Sequence, residues 1–345
     1  MKISIKDIKN PSLYIFFILL TFIPIFRLIN FLLTTGANNP STDDVAFIPV
    51  IDQILSGNYN WLKFPIDVFG NGHFVALPIL FQTGISFLLD GNIYFMLMMG
   101  VGISAINLVL IHDSLTKLKK SKLSILLWPL IAFLLFLPSN ISTFEFPLAS
   151  FQFNLNQFGL VLGIWGLVRF RGEWKGVFVM VLGGVIASLS WGGGPLTWPV
   201  FLMGLVFLNY RRVGYYLFWL LAFLISSFPY IYFQLFAEPL GKNHPFLSIF
   251  NLPLIVKGVG WPLVSFFPVE KAHIIGILGL GVLLINLGFI LFKRNKQKTM
   301  QSSAALMLIV YSLLNIWQIS LFRESYAPWY SHSFILFWIG LIGLG

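Results

Sequence analysis

"FVALPILFQTGISFLLDGNIYFMLMMGVGISAINLVLIHDSLTKLKKSK", Phe74 to Lys122, contains two apolar runs followed by a basic loop. Ile93 to Ile111 is long enough to cross most of the ~30 Å of a bilayer's hydrocarbon core. Phe74 to Leu89 is shorter and carries Pro78, Gln82 and Gly84. The loop carries Lys117, Lys119, Lys120 and Lys122, and loops that basic stay on the cytoplasmic side. Lys2, Lys6 and Lys9 place the amino terminus inside, and Ser12 to Leu33 then runs outward. If both later runs crossed, the basic loop would fall outside. One of them therefore does not cross, and the shorter is expected to be a juxtamembrane or re-entrant helix on the outer face. Such a segment is tolerated only where protein buries it or where it lines a cavity.

The rest of the chain has the same character. Of its 345 residues, 57% are hydrophobic and 10% charged, and the mean hydropathy is +0.86. Soluble domains carry roughly 25% charged residues, so this chain cannot cover a water-facing surface. The apolar runs do not alternate as barrel strands do, so the expected fold is all-α, a polytopic transmembrane bundle. The net charge of +10 would suggest nucleic acid in a soluble protein; here it follows from basic cytoplasmic loops. With no cysteine, disulfides and thiol chemistry are excluded, and the five histidines form no metal-ligand motif. The amino-terminal run lacks a small-residue cleavage site and reads as a retained signal anchor.

Lysine and arginine then set the remaining directions. Ile93–Ile111 goes in, Ser124–Leu137 out, Phe158–Phe170 in, Val177–Leu189 out, Leu196–Asn209 in and Gly214–Phe233 out. His273–Phe292 goes in, Ala304–Phe322 out and Phe334–Leu344 in. That makes about ten spans in one transmembrane domain, residues 1–345. The first outer loop covers 34–73, with juxtamembrane helices to about residue 90. The last run stops mid-span, so the natural chain is expected to continue past Gly345. Asp7, Asp113 and Glu173 fall inside; Asp43, Asp44, Asp52, Asp67, Asp90, Glu145, Glu238, Glu270 and Glu324 fall on the outer side. The acids played no part in assigning the sides.

Four outer segments could carry chemistry. Asp43 and Asp44 precede "AFIPVIDQILSG", whose Phe47, Ile51, Ile54 and Leu55 suit one side of an interfacial helix. An acid there could act as general base toward a lipid-borne substrate, while the plainer alternative is a helix cap and a solvated neighbour. "PSNISTFEFPLASFQFNLNQFG" offers Glu145, Gln152, Asn154, Asn156 and Gln157; amides suit sugar hydroxyls but also bridge helices. Its Asn140 matches a glycosylation sequon. "SLSWGGGPLTWP" sets Trp191 and Trp198 among glycines, where an indole face could stack on a sugar or simply anchor a turn. "LFRESYAPWYSHSF" brings Arg323, Tyr326, Tyr330 and His332 together, and Arg323 is the candidate for holding a phosphate, ahead of Lys242, Lys257 and Lys271. Arg27, a charge inside the first span, is a further functional flag.

The order of these features resembles the GT-C superfamily of polytopic membrane glycosyltransferases, which use polyprenyl-phosphate sugar donors. The features are an amino-terminal span, Asp43-Asp44 opening the first outer loop, an amphipathic helix, and "NGHF" (Asn71 to Phe74) before a hydrophobic helix. Some bacterial members carry an Asn-Glu-His-Arg-like motif at that last place; here Gly72 and Phe74 replace its Glu and Arg. The resemblance implies transfer of a sugar on the outer face of the cell membrane to an acceptor hydroxyl, with inversion and with Asp43 or Asp44 as catalytic base. His73, Glu145, Gln152, Asn156, Trp191, Arg323, Tyr326 and His332 are the substrate-binding candidates. Expected partners are a lipid-linked sugar donor, a glycan, lipid or protein acceptor, and membrane lipids, with no nucleic acid. No cofactor is required, although a divalent cation would suit paired aspartates. The alternatives are a transporter or flippase for lipid-linked sugars, or a noncatalytic assembly subunit.

Overall fold

The computed structural model describes residues 11–36, 43–70, 73–118, 124–236, 251–292 and 296–345. Helices dominate. They are α1 (Pro11–Thr35), α2 (Asp43–Leu55), α3 (Phe64–Asp67), α4 (Ala76–Leu89), α5 (Ile93–Thr116), α6 (Ser124–Leu135), α7 (Ile141–Phe144) and α8 (Pro147–Arg169). There follow α9 (Trp174–Ser188), α10 (Thr197–Phe207), α11 (Val213–Phe236), α12 (Leu252–Gly260), α13 (Ala272–Phe292), α14 (Lys296–Phe322) and α15 (Ser331–Leu344). Among the described residues, the strand content is one antiparallel pair, β1 (Phe69–Gly70) and β2 (His73–Phe74), with Phe69 opposite Phe74 and Gly70 opposite His73.

Among the described residues, α1, α5, Val213–Tyr230 of α11, Val269–Ile290 and Gln297–Leu321 are long and apolar enough to cross a membrane. A sixth span arises if Ser124–Leu135 and Pro138–Phe144 count as one helix bent by 47°. This is the make-up of an all-α, multi-pass membrane protein. α4, at 14 residues, spans about 21 Å and falls short of the hydrocarbon core. α14 is central, 72% of its apolar window being buried, whereas α1 and α13 reach only 17%. The peripheral helices turn large apolar side chains outward, among them Ile15, Leu19 and Phe26 on α1, Leu217 and Ile225 on α11, and Ile277 and Leu284 on α13. Such a surface needs lipid rather than water around it.

α8 begins at Pro147, well before the Phe158 expected from hydropathy. The polar stretch Gln152–Gln157 is therefore helix rather than loop. Its polar groups lower the local hydropathy, but Asn154, Asn156 and Gln157 find hydrogen-bond partners inside the bundle. Ser104 Oγ donates to Asn154 Oδ1 at 2.7 Å, and Asn107 Nδ2 reaches Gln157 Oε1 at 3.2 Å. α8 and α9 cross closely because both present glycine: a Cβ on Gly183 would lie 2.3 Å from the Gly159 carbonyl oxygen, and one on Gly159 would lie 2.4 Å from that of Gly183. Small residues of this kind let membrane helices approach to backbone contact.

Two more expectations change. Asn140, the sequon residue, is fully buried; its Nδ2 donates to the Leu134 and Leu135 carbonyls at 3.2 and 2.9 Å, and its Oδ1 accepts from Ser331 Oγ. It closes the broken end of α6 and is no glycan acceptor in this fold. The stretch between the expected spans Gly214–Phe233 and His273–Phe292 contains α12; residues 237–250, with Glu238 and Lys242, lie outside the described residues. So do Asp7, the amino-terminal lysines, Lys119, Lys120 and Lys122.

The loops gather at two ends. At one, Tyr94 Oη donates to the Gly36 carbonyl, Leu77 N–H to that of Leu189, Tyr230 Oη to Ser188 and Trp191, and Tyr326 Oη to Leu254. At the other, Tyr210 Oη donates to the Leu167 and Phe170 carbonyls and Tyr215 Oη to that of Gly172. The second end carries Arg169, Arg171, Lys175, Arg211 and Arg212; the first carries Asp44, Asp52, Asp67, Asp90, Glu145 and Glu324.

Candidate functional site: an acidic cleft under the first loop

Asp43 is the first residue of α2, and its side chain lies outside the described residues. Asp44 is 5% exposed and points into the bundle. Its Oδ1 accepts from the Leu148 backbone N–H at 2.7 Å and from Gln82 Nε2 at 3.0 Å. The first bond satisfies an open donor in the first turn of α8, whose own preceding residue, Phe146, offers no side-chain cap. A carboxylate there also meets the positive end of the helix dipole. The second bond fixes the Gln82 amide. Gln82 is 3% exposed, and its Oε1 has no hydrogen-bond partner among the described residues.

A cleft of about 250 Å³ opens beside these groups. Asp44, Gln82 and Pro147 stand on its wall, Ile48, Ile51, Ile93 and Met96 supply apolar surface, and Asp52 also borders it. Asp52 is exposed. On a helix, eight residues put Asp52 about 12 Å along the axis from Asp44 and about 80° around it. The two acids therefore mark separate parts of one elongated cleft. Phe47, Val50 and Ile51 hold α2 down against Val68, Phe74, Val75, Ile79 and Leu148.

Of the residues expected from the sequence, Asp44 alone lines this cleft. A second group lies around Trp191, whose ring is 4.9 Å from Phe153, 6.1 Å from His73 and 6.5 Å from Tyr330. The indole is buried, and Gly193 is required beside it because a Cβ would meet the ring at 2.2 Å and Asn315 Oδ1 at 2.3 Å. The glycines here serve packing, and Trp191 offers no open face for stacking. His73 retains part of its surface, yet its Nδ1 is shut from solvent with no partner among the described residues. Enclosure of that nitrogen outweighs the exposed ring edge. Burial, reinforced by the Arg323 charge, pushes the ring down to about 4, so it is neutral near pH 7.

Arg323 is exposed just past the end of α14. His332 is fully buried, edge-on to Phe144 at 5.9 Å, and neither ring nitrogen has a partner among the described residues. Asn156 and Tyr326 are used internally: Asn156 donates to the Ala187 carbonyl at 3.3 Å and accepts from Tyr311 Oη, while Tyr326 bonds Leu254 at 2.9 Å. Gln152 is half-buried and Glu145 exposed, and neither borders the cleft. Asn71 and Gly72 of "NGHF" lie outside the described residues. Lys257 sits over the Trp261 ring at 5.5 Å, and Arg27 is exposed on α1. The site residues missed by sequence reading are Gln82 and Asp52. A glutamine in an otherwise apolar helix was the available signal for the first.

Comparison with protein-family models, with curated proteins and with solved structures finds no match to this chain.

Proposed function

We propose that this protein is an integral membrane glycosyltransferase with a GT-C-like bundle of about ten spans. It would move a sugar from a polyprenyl-phosphate donor to an acceptor hydroxyl on the outer face of the cell membrane. The observation that carries the reading is Asp44, a buried carboxylate held by two donors at the wall of a cleft beneath an interfacial helix. Asp44 takes the proton from the acceptor hydroxyl as its oxygen attacks the anomeric carbon. The bond from that carbon to the phosphate oxygen breaks, and the lipid phosphate leaves with the electron pair. One displacement inverts the anomeric centre. Arg323 stabilises the leaving charge, and neutral His73 beside it adds no competing positive charge. Six residues of α4, about 9 Å, separate Ala76 near the His73 hairpin from Gln82 at the cleft. The sugar would bridge that interval.

The test is transfer from a labelled polyprenyl-phosphate sugar by the reconstituted protein. Asp44→Asn lowers transfer by about 100-fold or more while Asp43→Asn retains it. Full activity in Asp44→Asn would overturn the assignment of the base.

A further inference from the structure

We infer that the cleft beside Asp44 takes a cationic amphiphile, so that the acceptor carries an ammonium group as well as its hydroxyl. The catalytic meaning rests on the transferase reading above; the binding preference does not. Among the described residues, no lysine or arginine borders the cleft, whereas two carboxylates do. An anionic head group would be repelled along the whole length, so the donor's phosphate does not belong here.

The inner part demands a hydrogen-bond donor independently of charge. Gln82 cannot swing its Oε1 onto Asp44, because its Nε2 is already committed there and the carboxylate oxygen accepts. The buried Oε1 is left without a partner among the described residues, at a cost of about 1–3 kcal/mol unless an occupant donates to it. A single hydroxyl can give its one proton to Gln82 Oε1 or to Asp44, so an occupant carrying two donors serves both. A single metal ion does not satisfy both acids. Magnesium and calcium bind oxygen at about 2.0–2.6 Å, and the acids lie about 12 Å apart along α2. The walls between them are apolar: Ile48, Ile51, Leu55, Ile93 and Met96. Donor at one end, apolar body between, positive charge at Asp52: these describe an elongated amino-alcohol amphiphile.

Met96 gives a direct read-out. The full chain in nanodiscs, with 13C-methyl methionine, is titrated at pH 7 with decylammonium, decyl glucoside and decyl phosphate. The Met96 methyl should shift saturably, with ammonium binding about two- to fivefold more tightly than the glycoside and phosphate most weakly. In Asp52→Asn, an exposed position that tolerates substitution, ammonium should fall to the level of the glycoside. Gln82→Leu should weaken the glycoside, which supplies the hydroxyl donors. Phosphate binding as tightly as ammonium, an unchanged preference in Asp52→Asn, or no response at Met96 would each overturn the inference. Because the measurement is binding, it can fail while Asp44-dependent transfer persists, and it can succeed where transfer is absent.

Discussion

The Asp44 Oδ1 caps α8 through Leu148 and holds Gln82, and the proposed reaction asks the same carboxylate, on the cleft wall, to take a proton. These roles separate by substitution. Asp44→Asn keeps an acceptor for the α8 cap and so retains the fold, whereas Asp44→Ala also leaves a buried N–H unsatisfied, at about 1–3 kcal/mol. The pair Asp43-Asp44 stood out in the sequence as a candidate, and Asp44 does line a cleft. Which of the two faces inward was not legible, because the answer depends on a partner 104 residues away. His73 makes a second prediction at this scale. Its folded ring titrates near 4, below the ordinary 6.5. The unfolded chain therefore binds the extra proton first, and stability is complete above about pH 6.5 and drains away as pH falls toward 4. The melting temperature of the native protein should fall more between pH 6.5 and 4 than that of His73→Gln; parallel curves would contradict the burial of the ring.

At the scale of elements, the short α4 shows why position matters more than length. Its Pro78, Gln82 and Gly84 set it apart in the sequence as the segment expected not to cross, and its 14 residues carry Gln82 to the cleft. Hydropathy placed the start of α8 too late because it treats buried amides as solvent-loving, and their partners on α5 cannot be seen locally. The broken α6 was likewise invisible: Asn140 looks like a surface sequon until its two carbonyl partners are known. The α8–α9 crossing makes the element-level prediction. Gly183→Val drives side-chain atoms into the Gly159 carbonyl and should destabilise the protein by at least ~1–3 kcal/mol, the usual cost of overpacking. Gly281→Ala on α13, with open space around the added carbon, should be neutral or stabilising. Equal melting temperatures for the two variants would contradict backbone contact between α8 and α9.

Across the whole molecule, Arg169, Arg171, Lys175, Arg211 and Arg212 share one end and most of the described acids lie at the other, together with Lys257, Lys271 and Arg323. What the sequence could not supply is that His73 comes under the charge of Arg323, far away in the chain. The proposed reaction needs a route from that corner to the cleft, with phosphate held at one end and the acceptor at the other. The most direct measurement is a structure of the Asp44→Asn protein with a polyprenyl-phosphate sugar bound. The account predicts phosphate within hydrogen-bond reach of Arg323 and the sugar's anomeric carbon turned toward position 44. Phosphate bound instead at the opposite end, among Arg169, Arg171, Arg211 and Arg212, would contradict it.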